Sequence, residues 1–68
     1  MENKQQILDL LLPALKATRN LSDLESLEYK EESGDEYVIA KFPAGEKIVN
    51  VYADSGTAMI IDIVKQIV

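Results

Sequence analysis

Nothing in this chain can staple a fold together. Its 68 residues include no cysteine, no histidine and no tryptophan. The lack of cysteine excludes disulfides and thiolate zinc sites, the usual supports of very small domains. The core must come from apolar side chains alone, in a chain short enough to bury only about 60% of the surface its unfolded form exposes. At 47% hydrophobic the composition supports such a core, and disorder is not expected. A single domain spanning residues 1–68 is the expected organisation. Self-association is a common further support at this size.

The same absences narrow the chemistry. Without histidine or cysteine the chain lacks the usual general base near neutral pH, the usual soft metal ligand and the usual thiol nucleophile. Ser22, Ser26, Ser33 and Ser55 have no histidine to activate them. Ser33-Gly34-Asp35-Glu36 offers two acids without the spacing of a calcium loop. Asp54-Ser55-Gly56 could bind an anion at a helix start or serve as an ordinary cap, and it lacks the further glycines and lysine of a phosphate loop. The expectation is a non-enzyme with no catalytic residues, no cofactor and no metal.

Twelve acids against seven bases give a net charge of −5. That balance argues against nucleic acid, whose binding depends on neutralising phosphates, and against anionic membranes. No stretch reaches the ~20 apolar residues that span a bilayer. Met1 to Gln6 lacks the basic lead-in of a signal peptide, so a cytoplasmic location is expected.

Asn3 can cap a helix, with Gln6 in the capping-box position. Ile7, Leu8, Leu11, Leu12, Leu15 and Thr18 recur at helical spacing, and Leu10 and Ala14 widen the stripe. Pro13 either kinks this helix or opens a second one. Arg19 to Asp23 reads as the exit loop. Three strands follow, at Leu27–Glu31, Glu36–Phe42 and Lys47–Ala53, joined by short turns at Ser33-Gly34-Asp35 and Pro43-Ala44-Gly45-Glu46. Links this short give an antiparallel meander. At Asp54-Ser55-Gly56 the period changes, and Asp54 or Ser55 caps a final helix from Thr57 to about Ile67. Its expected apolar side is Ile60, Ile61, Ile63, Val64, Ile67 and Val68; Asp62 and Lys65 can pair on the other.

The fold class is therefore α+β, in the order α-β-β-β-α, with both helices on one face of the three-stranded antiparallel sheet. The uniformly apolar set Val38, Ala40, Phe42, Val49, Val51 and Ala53 should lie under the helices. The open face would then carry Tyr37, Ile39, Lys41, Ile48, Asn50 and Tyr52. A one-residue slip in register exchanges the two sets.

Two surfaces are candidate sites. On the open face, Tyr37, Ile39, Ile48 and Tyr52 could form an apolar patch suited to a protein partner or to a second copy in a homodimer, or they could be ordinary strand residues tolerating half exposure. The acidic run Glu25, Glu28, Glu31, Glu32, Asp35 and Glu36 contains half of the acids against one base, Lys30. It could be a decoy occupying the nucleic-acid-binding surface of a partner, or a solvated hairpin whose charges discourage edge pairing.

The element order, together with Tyr29-Lys30-Glu31-Glu32-Ser33-Gly34, resembles the double-stranded RNA-binding domain. The resemblance implies that domain's architecture. A degenerate domain with residual RNA binding is the third and weakest expectation, because the paired lysines that open the family's last helix are replaced here by Asp54-Ser55-Gly56-Thr57-Ala58-Met59. Asn50 to Ile60 is similar to the C-terminal part of short proteins from Gram-positive bacteria and their phages, which implies a setting and no biochemical role.

Overall fold

In the computed structural model, which describes residues 3–67, Asn3 opens the first helix. Its side-chain oxygen accepts the N–H of Gln6 at 3.0 Å, satisfying a donor that has no partner within the helix. Helix α1 (Lys4–Lys16) runs through Pro13 without a break, so no second helix begins there. It buries only Leu8 and Leu15, with Ile7, Leu11 and Leu12 packed beside them. Leu10, expected in the stripe, is 70% exposed. Thr18 lies beyond the helix, where its hydroxyl donates to the Leu15 carbonyl.

The loop after α1 is not a solvated exit. Leu21 and Leu24 are buried in it and join the core. Strands β1 (Ser26–Glu32), β2 (Asp35–Phe42) and β3 (Gly45–Asn50) follow, paired antiparallel in the order β1-β2-β3. Ser33 and Gly34 both take positive φ, 51° and 85°, which matches the twist of a two-residue hairpin. Across the second hairpin Phe42 pairs with Gly45, whose φ of 149° suits glycine.

The third strand is shifted from its expected span of Lys47–Ala53. It starts at Gly45 and ends at Asn50. Val51 still donates to the Glu36 carbonyl at 3.0 Å, after which the chain turns at Tyr52 and Ala53. Ala53 sits at φ 61° and is exposed, so it is not part of the covered face. The sharp turn redirects the chain from the sheet edge into the last helix before another strand residue can pair.

Helix α2 (Gly56–Ile67) is capped by Ser55 and not by Asp54: Ser55 Oγ accepts from Ala58 N–H at 3.2 Å and its carbonyl accepts from Met59 N–H at 2.9 Å. Met59, Ile63 and Ile67 are buried, while Ile61 and Val64, expected inward, are exposed. Val68 lies outside the described residues. No Asp62–Lys65 ion pair forms among the described residues.

Both helices pack on one face of the sheet, and the buried residues form a single cluster. Val38, Ala40, Val49 and Val51 are covered there, joined by Leu27 from β1; Phe42 is half-buried. At about 25 cal/mol per Å² of apolar surface, each large side chain so covered contributes roughly 1.5–3 kcal/mol. The Gln5 amide also closes the outer edge of β1, donating to the Leu27 carbonyl at 3.2 Å and accepting Tyr29 N–H at 2.8 Å. One side chain thus takes the place of a neighbouring strand.

Candidate functional site

Alternation along the strands fixes the open face. With Val38 and Val49 paired beneath the helices, Tyr37, Ile39 and Ile48 must point the other way. Ile39 pairs directly with Ile48. The Val51–Glu36 hydrogen bond sets the ladder's parity and makes Ile39–Ile48 a non-hydrogen-bonded pair, the kind whose side chains approach most closely. Ile48 is 66% exposed, and Tyr37 and Ile39 are half-buried. Tyr37 donates from its hydroxyl to Glu32 at 3.0 Å. That hydrogen bond, then partial burial and the Glu32 charge, raises the phenol pKa above its ordinary 10.0.

A shallow depression runs from Ile39 and Ile48 past Tyr37 to Glu32 and Asp35. The face is thus apolar in the middle and acidic at one end. Lys30 and Glu28 form a half-exposed ion pair beside it at 3.8 Å, and Lys41 stands opposite Glu46. Tyr52 is apart from the other three members of the expected patch. It is 61% exposed in the turn beyond β3, with its N–H held by the Asn50 side chain at 2.9 Å.

The six acids of the hairpin do not form one surface. Alternation puts Glu28, Glu32 and Asp35 on the open side and Glu31 and Glu36 on the helix side. Glu25 precedes the strand, its N–H bonded to the Lys41 carbonyl at 2.7 Å. Glu36 is the most fully engaged acid among the described residues. It accepts from the Lys4 ammonium at 2.5 Å, the Tyr29 hydroxyl at 2.6 Å and the Ala53 N–H at 3.3 Å. These contacts hold its pKa at about 2, with Lys4 the largest cause and Tyr29 next. Tyr29 is pushed up to about 12, mainly by the same hydrogen bond to Glu36. Lys4 also lies 5.5 Å from the centre of the Tyr29 ring, a cation–π distance.

This cluster ties the start of α1 to the sheet and to the turn before α2. Sequence reasoning missed it, because Lys4 and Glu36 are 32 residues apart and neither differs in pattern from a solvated charge. A second missed feature is Asp54. Its Oδ2 is buried without a hydrogen-bond partner among the described residues. Its pKa is raised, first by the Asp62 carboxylate, to which it can donate a hydrogen bond only when protonated, then by burial and the Asp62 charge.

No family model, no curated protein and no solved structure matches the chain. No helix among the described residues is long and apolar enough to cross a membrane.

Proposed function

We propose that this chain is a protein-interaction module whose contact surface is the open sheet face. The observation that carries the reading is the Ile39–Ile48 pair, set on the face that neither helix covers, with Ile48 66% exposed. An apolar centre rimmed by charged and hydroxyl groups is the anatomy of a protein contact. Tyr37 adds a large, stiff side chain whose hydroxyl is already oriented by Glu32, which lowers the entropy lost on binding. Ile39 and Tyr37 are the central contacts. Ile48 extends them toward the β3 edge, and Tyr52 serves only a partner large enough to reach past Asn50.

The acidic-decoy reading receives less support. Of its six residues, Glu36 is engaged by Lys4 and Tyr29, Glu32 by Tyr37 and Glu28 by Lys30. Residual RNA binding is opposed by Asp54 and Asp62, which meet beside the first turns of α2 and would repel phosphate there.

The test uses immobilised wild-type chain and an Ile39→Ser, Tyr37→Ser double variant, each presented to a lysate of the source cell. A protein retained by the wild type and lost from the variant, with both baits equally folded by circular dichroism, is the expected result. An unchanged set of retained proteins rejects the face.

A further inference from the structure

The sheet has two edges, and they are built differently. β1's outer edge is closed by the Gln5 amide and bordered by exposed acids. β3's outer edge meets no further strand among the described residues, and its start is approached by Leu21 and Asp23 of the loop after α1. The Val51–Glu36 hydrogen bond turns residues 47, 49 and 51 inward to β2. The backbone N–H and C=O groups of Glu46, Ile48 and Asn50 therefore face outward. An open row of this kind is a template for another strand.

Helix α2 adds to the same side. At 3.6 residues per turn its buried line runs through Met59, Ile63 and Ile67. Asp62 lies to one side of that line, meeting Asp54 near Lys4 and Glu36, which is the side toward α1. By the same spacing Val64 lies to the other side, toward the β3 edge, at 38% exposure, and Ile61, at 52%, lies further round the helix on that side, turned away from the sheet. Ile48 on the open face and Val64 and Ile61 on α2 thus make this flank of the molecule apolar on both sides of the β3 edge.

We propose that this flank takes a second copy of the chain, with β3 pairing antiparallel to the partner's β3 about a two-fold axis at Ile48 and the Ile61–Val64 stripes of the two α2 helices meeting above it. Charge favours self-pairing here. The exposed acids Glu25, Glu31, Glu32 and Asp35 sit on or beside β1 and the first hairpin, whereas the β3 edge carries one Glu46 and one Lys47, with Asp23 lining the depression at its start. Register favours it too. Centring on Ile48 sets Glu46 opposite the partner subunit's Asn50 and Lys47 opposite the partner subunit's Val49, so no like charges meet. A shift of two residues in total register would oppose Lys47 to itself, and a further shift Glu46 to itself. Paired strands lie ~4.8 Å apart, which brings helices packed over them to within reach of the 8–10 Å helix-packing distance. The two three-stranded sheets become one, with a continuous open face. The proposal shares Ile48 with the open-face reading but rests on the edge and on α2.

The experiment is sedimentation equilibrium with a cysteine probe, which a chain without native cysteine permits. Wild type should sediment at twice the 7.6 kDa monomer mass. An Ile61→Glu, Val64→Glu variant should be a folded monomer, and Ile39→Glu should stay dimeric. Ile48→Cys should give a covalent dimer on mild oxidation, because Cα atoms in such a pair lie ~5.5 Å apart, within disulfide reach. A wild type that stays monomeric at high concentration overturns the proposal and leaves the open-face reading standing. A dimer broken by Ile39→Glu and kept by the α2 variant overturns it in favour of the face.

Discussion

Glu36 and Asp54 are carboxylates near the same lysine, and their surroundings push them in opposite directions. Glu36 is held at about 2 from an ordinary 4.5. Its charged form belongs to the fold, so the stabilisation is fully present above pH 4.5 and is lost as pH falls toward 2. Glu36→Gln should therefore lower the urea midpoint at pH 7, and the gap to wild type should close as both are titrated toward pH 2. A gap that persists unchanged at low pH would show that the charge contributes nothing. Asp54 has a raised pKa, with Asp62 the first cause. Its protonated form belongs to the fold, so that stabilisation is present below its ordinary 3.8 and is lost as pH rises through the folded value. Once Asp54 is ionised its carboxylate faces that of Asp62 and Oδ2 stays buried without a donor among the described residues. The amide introduced by Asp54→Asn would donate to Asp62 at any pH. This substitution should raise the thermal midpoint at pH 7 and leave it nearly unchanged at pH 3; equal midpoints at pH 7 would remove the repulsion from the account.

The two helices show how little of an apolar stripe a small sheet can cover. Leu8 is fully buried and Leu10 is 70% exposed, two positions apart on one helix. Leu8→Ala should cost ~2–5 kcal/mol through lost burial and a cavity, whereas Leu10→Ala should stay within about 0.5 kcal/mol. Paired urea melts measure the difference, and similar losses would mean that Leu10 packs against something. Helical spacing predicted both residues inward, because periodicity reports apolar content and not the width of the surface beneath. α2 departs in the same way, burying Met59 while Ile61 and Val64 face solvent. The hairpins were legible, since Ser33-Gly34 and Pro43-Ala44-Gly45 leave the backbone few choices. With them came the alternation that sets Tyr37, Ile39 and Ile48 on one face, although the sequence alone leaves the register open by one residue. Tyr52 was misplaced because alternation continues through Tyr52-Ala53, while the turn that ends β3 depends on the Asn50 side chain and a left-handed Ala53. The burial of Leu21 and Leu24 and the Lys4–Glu36 contact were not legible, because both are long-range consequences of where α1 lands on the sheet.

At the scale of the molecule the uneven charge matters more than its total. The net charge is −5, and acids crowd β1 and the first hairpin, where Lys30 is the one base. Their mutual repulsion opposes folding and is open to solvent, so salt acts on it strongly: the screening length falls from ~30 Å at 0.01 M to ~3 Å at 1 M. Salt also weakens the favourable pairs, but not equally. The Glu28–Lys30 pair is half-exposed and long, and such pairs contribute ~0–1 kcal/mol. The Lys4–Glu36 pair is largely covered on both sides and is screened less. The repulsive part should therefore lose more than the attractive part. Raising sodium chloride from ~0.01 M to ~0.5 M should lift the melting temperature by several degrees, at ~4–8 °C per kcal/mol for a domain of this size. Salt also favours association of like-charged chains, and association itself raises the midpoint by mass action, so the melts need two protein concentrations. A Glu31→Lys variant separates the sources: it removes acid crowding on β1 without touching the β3 edge, and should flatten the salt dependence while leaving the concentration dependence intact. A salt response that Glu31→Lys does not reduce would place the repulsion elsewhere on the surface.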